Sequence, residues 1–228
     1  KVNKVGDELK LEIPTWRTTK DIDCESDLVE EIGRIIGYDN IVPCSPMMDV
    51  APVKLTEAQQ LHRKIRDFMV MHGRSFELNT YPMIGQKLLD KASWTKTNSL
   101  ELYNSLSKDA EFMRDTMVPS LLEAAAVNAK NFNEFRFFEL GRTYHDDDKN
   151  FSKENSKLAI LFYGKEKTPF MDLVNNVEKV MGAMNIPGDI CEKHPKFKNA
   201  IIPEDWNGAH PFEFLNIRIM GKMNGVIS

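Results

Sequence analysis

The spacing of apolar residues divides the chain into helical and extended stretches. From Ser26 to Pro43 the sequence is SDLVEEIGRIIGYDNIVP, and Leu28, Ile32, Ile35 and Ile36 recur at three- and four-residue intervals. That period predicts a helix with one apolar stripe. Asp27, Glu30, Glu31 and Arg34 share the opposite side. Asp27-x-x-Glu30 has the spacing of a capping box, with Asp27 serving the open N–H groups of the first turn. Gly37 ends the helix and Pro43 closes the segment. Ahead of it, Leu9, Leu11 and Ile13 alternate with polar residues after a Gly6–Asp7 turn, which predicts a half-buried strand. Pro14–Arg17 turns the chain, with Trp16 as an anchor. Residues 44–55 carry Pro46 and Pro52 without a period and read as a linker.

Beyond the linker, Thr56-x-x-Gln59 is a second capping box, and Leu61, Ile65, Phe68 and Met69 form a stripe that stops at Gly73. Ser75–Tyr81 alternates as a strand and meets Pro82. Ile84–Lys91 predicts a short helix and Leu100–Leu106 an extended segment. A helix from Val118 to Lys130 tolerates Pro119 in its first turn. Phe135–Tyr144 is an aromatic-rich strand broken by Gly141. Leu158–Tyr163 is a continuous apolar run, hence a central strand. Asp172 caps a helix to Met184 with Leu173, Val177, Val180, Met181 and Met184 inward. Phe197–Pro203 and Phe214–Gly221 read as two further strands. Sequential strands with helices grouped separately predict an α+β fold, an antiparallel sheet flanked by helices.

The 228 residues suffice for one large domain plus a fragment. A net charge of −4 argues against a surface that attracts nucleic acid as a whole. The three cysteines, Cys24, Cys44 and Cys191, are odd in number and far apart, which argues against a disulfide framework and fits a reducing cytoplasm. Cys191-x-x-His194 lacks the second pair a zinc site requires. No apolar run is long enough to span a bilayer, so no membrane association is expected. Lys1 is not a Met, and Gly221–Ser228 reads as a strand and turn cut short; the chain is expected to be a piece of a longer subunit.

Two groups could carry chemistry. The first is the carboxylate set Asp21, Asp27, Glu30 and Glu31, with Asp23 and Glu25 nearby. Hard divalent cations take oxygen ligands, and crowded like charges ask for a cation or an arginine. The plain alternative is electrostatic: acids are favoured at a helix N-terminus, and Glu30–Arg34 is an i,i+4 pair. The second is the strand and turn FELGRTYHDDD, in which His145 precedes Asp146, Asp147 and Asp148. Three aspartates repel a triphosphate and suit a solvated hairpin tip. Arg114, isolated ahead of a helix, has an expected structural role, pairing with a carboxylate such as Glu111 or Glu139. No Walker-type or G-x-G-x-x-G loop occurs, and no serine, histidine and acid set forms a triad. Neither catalytic nor cofactor-binding residues are therefore assigned.

IPTWRTTKDIDCESDLVEEIGRIIGYDNIVP resembles the end of a small domain in the phenylalanyl-tRNA synthetase beta family, of bacterial type, which reads V-P-S-W-R-x-D-I and then D-L-x-E-E-I-x-R-I-x-G-Y-D-x-I-P. NSLSKDAEFMRDTMVPSLLEAAAVNAKNFNEFRFFELGRTY resembles the family's N-P-x-S-x-E-x-x-x-L-R-x-S-L-L-P-G-L-L and F-E-L-G-x-x-F. Thr18–Thr19–Lys20 departs from the pattern, being longer than the single residue usual there. The Thr56 helix, Gly73, the strand and Pro82 resemble the first motif of class II aminoacyl-tRNA synthetases, which builds a subunit interface. In such synthetases an arginine beyond the matching strand grips ATP; here His145 and the aspartates stand in that region.

The resemblance implies a central piece of the beta subunit of a ligase that joins phenylalanine to its tRNA with ATP. Residues 1–43 would be the C-terminal part of a small winged-helix-like domain, and 56–228 an inactive, catalytic-like class II domain truncated at its C-terminus. It also implies magnesium bound by Asp21, Asp27, Glu30 and Glu31 and shared with a catalytic alpha subunit. The assembly would be a cytoplasmic alpha2beta2 heterotetramer that binds tRNA through the whole beta subunit. The alternative from another class is a non-catalytic scaffold or nucleic-acid-binding module of a different complex.

Overall fold

The computed structural model describes residues 1–95, 99–147, 149–192, 202–203 and 206–228. The chain divides into two compact units, Lys1–Val53 and Lys54–Ser228.

The first unit opens with β1 (Val2–Val5) and β2 (Glu8–Leu11), an antiparallel hairpin in which Val2 faces Leu11. Gly6 takes the turn at φ +64°, a conformation that favours a residue without a Cβ. Both strands are exposed, so the expected half-buried face is not formed. A 3-10 turn, Thr15–Arg17, leads to α1 (Glu25–Ile36), which Gly37 terminates. A second 3-10 turn, Tyr38–Asn40, folds Tyr38 onto Gly33, where a Cβ would lie 3.1 Å from the ring. The predicted stripe of α1 lies largely open: Ile35 is 89% exposed, and Ile32 and Ile36 are also exposed. One short hairpin and one helix do not supply enough surface to bury it.

The second unit begins with α2 (Glu57–Met71), fixed at its start by Thr56. The Gln59 N–H donates to Thr56 Oγ1 at 3.3 Å, and the Thr56 N–H donates to Gln59 Oε1 at 2.9 Å. These reciprocal bonds satisfy donors that the first turn leaves open. After β3 (Phe76–Glu77) come β4 (Met83–Ile84), α3 (Gln86–Lys91), β5 (Phe112–Met113) and α4 (Val118–Asn128). A long hairpin follows, β6 (Glu134–Asp146) and β7 (Ser152–Gly164), then α5 (Phe170–Ala183), β8 (Gly188–Glu192), β9 (Leu215–Ile219) and β10 (Lys222–Ile227).

The strands form one sheet of order β3-β6-β7, another of order β10-β9-β8, and the small pair β4-β5. All pairings in this unit are antiparallel except β3 with β6, which is parallel with Phe76 opposite Phe137. β6, not β7, is therefore the central strand of its sheet; the apolar run Leu158–Tyr163 lies at the edge and is only half-buried. Gly141 does not break β6, since it keeps its place in the ladder opposite Lys157. α5 starts two residues earlier than expected, after Pro169, and Asp172 lies within its first turn. The strand expected over Phe197–Pro203 falls mainly outside the described residues.

The even-numbered face of β6 meets the helices. Phe138 packs with Ile65 and Met69 of α2 and Val180 of α5, and both Phe138 and Met69 are 0% exposed. Met71, one residue-pair beyond, is exposed. A second cluster joins Val174, Val177 and Met181 of α5 to Ile227 of β10. The odd-numbered face of β6 carries Phe135 and Phe137, stacked with ring centroids 4.6 Å apart, and then Glu139, Gly141, Thr143 and His145.

Candidate functional site

α1 begins at Glu25 because Cys24 is its N-cap. Asp27 is thus the third helical residue, three positions later than its expected capping role. Its carboxylate reaches back, accepting from the Asp23 N–H at 2.7 Å and the Cys24 N–H at 2.9 Å. Those two backbone bonds, the Asp23 bond foremost, hold Asp27 below the usual carboxylate pKa. One oxygen of Asp27, Oδ2, thus accepts from both amides at the helix start.

Asp21 and Glu31 converge on a residue the acidic pattern did not single out, Arg17. Its Nε donates to Asp21 Oδ2 at 2.6 Å and its Nη2 to Asp21 Oδ1 at 3.0 Å. The same guanidinium donates to Glu31, from Nη2 to Oε1 at 2.9 Å and from Nη1 to Oε2 at 3.3 Å. Arg34 donates to Glu31 as well. These bonds depress both carboxylates, with the Arg17 hydrogen bond the leading cause in each, and raise the Arg17 pKa. Glu30 stands exposed on α1. Of the four carboxylates expected to hold magnesium, the structure joins Asp21 and Glu31, through a guanidinium, and leaves Asp27 turned to the backbone. Among the described residues, no three His, Cys, Asp or Glu side chains gather into a group that could hold a metal ion. By itself the corner does not fit magnesium, whose small, nearly octahedral shell demands freely converging oxygens. Arg17 and Asp21 lie four residues apart across a turn and not on a helix, so no local period in the sequence announces their pairing.

The second site lies on the odd face of β6. Arg114 and Glu139 form a salt bridge of 2.8 Å with side chains only 4% and 2% exposed. Arg114 Nη1 also donates to Thr80 Oγ1 at 2.7 Å, its Nε donates to the Arg142 carbonyl at 2.9 Å, and Thr80 Oγ1 donates to Glu139 Oε2 at 2.7 Å. The expected pairing is thus with Glu139, not Glu111. A Cβ at position 141 would lie 2.3 Å from Arg114 Nη2 and 2.7 Å from Met117 Sδ, so Gly141 makes room for the guanidinium. Chemically, this arginine is spent on the protein interior and offers no fork to a phosphate.

His145 follows on the same strand, its Nε2 3.4 Å from Thr143 Oγ1. Burial, the largest cause, lowers its pKa, against the opposing pull of Asp115. At the hairpin turn, Asp147 accepts from the Lys149 N–H at 3.1 Å and Asn150 Nδ2 at 3.3 Å, an arrangement that shapes the turn. Asp148 lies outside the described residues, as does His194, so the spacing Cys191-x-x-His194 cannot be placed. A cavity of about 150 Å³ between α2 and α5 is lined by Phe68, His72, Arg136, Asp172, Asn176 and Lys179. It is below the roughly 300–1,000 Å³ typical of small-molecule sites and far too small for a nucleotide.

Residues 41–228 match the family described as the phenylalanyl tRNA synthetase beta chain CLM domain, and residues 1–38 match the tRNA synthetase B5 domain. A phenylalanine–tRNA ligase beta subunit from Clostridium tetani is 30% identical over 208 residues, covering 86% of this chain and 26% of that protein. The counterpart from Solibacter usitatus is 29% identical over 154 residues, covering 68% of this chain and 20% of its own length. The chain thus spans about a fifth to a quarter of these curated relatives. Among solved structures, a pyrrolysyl-tRNA synthetase from Desulfitobacterium hafniense superposes with a TM-score of 0.53 at 13% identity, covering 72% of this chain and 56% of that one. At that identity the likeness concerns the fold alone, mixed α/β with antiparallel sheets.

Proposed function

The chain belongs to the phenylalanyl-tRNA synthetase beta family, and from that premise we propose that it is an architectural, non-catalytic portion of the beta subunit of a phenylalanine–tRNA ligase. The parent enzyme would use ATP to join phenylalanine to its tRNA in the cytoplasm. Catalysis would reside in an alpha subunit, paired with beta as an alpha2beta2 heterotetramer, with tRNA bound by the whole beta subunit. Residues 1–43 would complete a winged-helix-like domain, 44–55 would link, and 56–228 would form a catalytic-like but inactive domain. No helix among the described residues is long and apolar enough to cross a membrane.

The match over residues 41–228 carries this reading. Arg114 supports the non-catalytic part, because adenylate formation needs cationic groups free to neutralise charge developing on a triphosphate. An arginine 4% exposed and bonded to Glu139 is not free to do so. Asp146 and Asp147 at the hairpin turn would add negative charge where a nucleotide needs the opposite. A magnesium ion shared with the alpha subunit would draw on Asp21, Asp27, Glu30 and Glu31 only after Arg17 and the partner's groups rearranged around it; no catalytic step is routed through it.

The test is co-expression with the alpha subunit from the same source. The expected result is a stable complex on size exclusion, and no phenylalanine-dependent pyrophosphate exchange by this chain alone. Exchange by the purified chain, or failure to form a complex with alpha while folded, would overturn the proposal.

A further inference from the structure

We infer that the cavity between α2 and α5 is a binding site for a protonated oxyanion, of which hydrogen phosphate is the simplest. Its floor is Asn176. At 7% exposure this is the one buried side chain in the wall, while Asp172, Asn175 and Lys179 of the same helix are exposed. Asn176 also interrupts the packing stripe of α5, three residues after Leu173 and four before Val180. A polar group in such a stripe is costly unless it is hydrogen-bonded. Its Oδ1 is buried and has no hydrogen-bond partner among the described residues. Gly73 leaves space beside the amide, since a Cβ there would lie 3.1 Å from Asn176 Nδ2. The floor thus presents an acceptor that calls for a donor.

The rim supplies the opposite chemistry. Arg136 of β6 is held by long contacts: Nη1 donates to the Gly73 carbonyl at 3.5 Å, Nη2 stands 3.6 Å from Asp172 Oδ2, and the guanidinium carbon lies 4.6 Å from the centroid of the Phe162 ring. The stack on Phe162 fixes the plane of the fork and leaves its edge N–H groups to a ligand. Arg114 differs, its fork being used in bonds of 2.7 to 2.9 Å. An oxyanion meets a guanidinium at roughly 2.7–2.9 Å, closer than either polar contact Arg136 now makes. Lys179 adds a second positive charge, and the cavity of about 150 Å³ admits a single phosphate group. The lining also selects among oxyanions. Sulfate has acceptors alone, so it leaves Asn176 Oδ1 unmet and faces Asp172 with like charge. Hydrogen phosphate brings P–O⁻ oxygens to Arg136 and Lys179 and a P–OH to Asn176 Oδ1. Inorganic phosphate and a protonated phosphate monoester share this chemistry.

The test uses the 228-residue chain at about pH 6, near the second pKa of a phosphate monoester. Inorganic phosphate, glycerol phosphate and sulfate are titrated separately at constant ionic strength, and the backbone amides of α5 are followed by heteronuclear NMR. Phosphate is expected to bind about tenfold more tightly than sulfate, the usual consequence of leaving one buried acceptor unmet. Lys179→Gln should weaken both ions about fivefold, which is what one unit charge at contact range contributes in water. Asn176→Ala should bring the phosphate-to-sulfate ratio close to one, a change that a purely structural asparagine does not produce. The same spectra show whether that variant is folded; should it unfold, the wild-type and Lys179→Gln titrations decide alone. Binding of both phosphates assigns a monoester, and binding of inorganic phosphate alone assigns the free ion. Equal affinity for sulfate and phosphate, an unchanged ratio in folded Asn176→Ala, a Lys179→Gln chain indistinguishable from wild type, or no response to inorganic phosphate would overturn the inference. These titrations need no alpha subunit, so their outcome and that of the proposed function are independent.

Discussion

Two arginine–carboxylate clusters in this chain have the same chemistry and opposite settings. Arg17 holds Asp21 and Glu31 in a small unit with all three side chains a third or more exposed, while Arg114 holds Glu139 inside a sheet-and-helix domain at 4% and 2% exposure. In water, a charge that loses its partner is resolvated at little cost, so the first cluster can exchange partners. In the interior, a charge that loses its partner has nowhere to go, so the second is fixed once the domain folds. The difference teaches which arginine can serve an assembly and which can serve only the fold.

The comparison is broken most severely at Glu139. Glu139→Ala should destabilise the second unit by about 3–5 kcal/mol, the usual consequence of stranding a buried charge. The readout is the urea midpoint. Replacing both partners, as Arg114→Met with Glu139→Leu, should recover much of the loss; a double variant no better than the single one would mean that Thr80 and the Arg142 carbonyl matter more than the ion pair.

A smaller effect is expected where the guanidinium is accommodated. Gly141→Ala pushes a methyl to within 2.3 Å of Arg114 Nη2. Overpacking of this kind costs about 1–3 kcal/mol, and thermal unfolding should show it without change in the helical content of the native state. An unchanged melting temperature would mean that Arg114 shifts freely and is not the rigid member of the comparison.

The mildest prediction concerns the exposed cluster in acid. Asp21, Asp27 and Glu31 all have folded-state pKa values below their ordinary ones. A depressed carboxylate favours the folded state fully above its unfolded pKa of about 4, and that contribution fades as pH falls through the lower folded value. Amide exchange in peptides spanning residues 15–36 should therefore accelerate below about pH 4 relative to the α2–β6 core. Asp21→Asn should remove part of that acid dependence while leaving exchange near neutrality almost unchanged.

The helices were legible in the sequence because their packing stripes follow a local period. Ile65 and Met69 of α2 and Val177 and Val180 of α5 are buried as their spacing implies. The sequence places the start of α1 three residues late because Asp27 can act in a capping box from either end, and only the backbone shows which amides it meets. Burial of the Ile32–Ile36 stripe was not legible, since periodicity reports an apolar face without saying what covers it. The rank of β6 over β7 was hidden for a different reason: β3, two residues long, pairs across a distance in sequence that no local pattern encodes. At the acidic corner, crowding makes the carboxylates evident in the sequence, whereas Arg17 reads as part of a turn. Arg114 reads as structural from the sequence, but its choice of Glu139 depends on the register that sets Glu139, Gly141 and Thr143 on one face of β6.

The parallel contact between Phe76 and Phe137 also sets an order of events during folding. β6 and β7 meet across a short turn, so their hairpin can close within microseconds. β3 must instead close a loop of about sixty residues, which costs about 2 kcal/mol more in chain entropy than a five-residue turn. On a ribosome, α2 and β3 emerge first yet have no partner strand until β6 has been made. The N-terminal edge of this domain therefore waits, unpaired, for the hairpin that follows it.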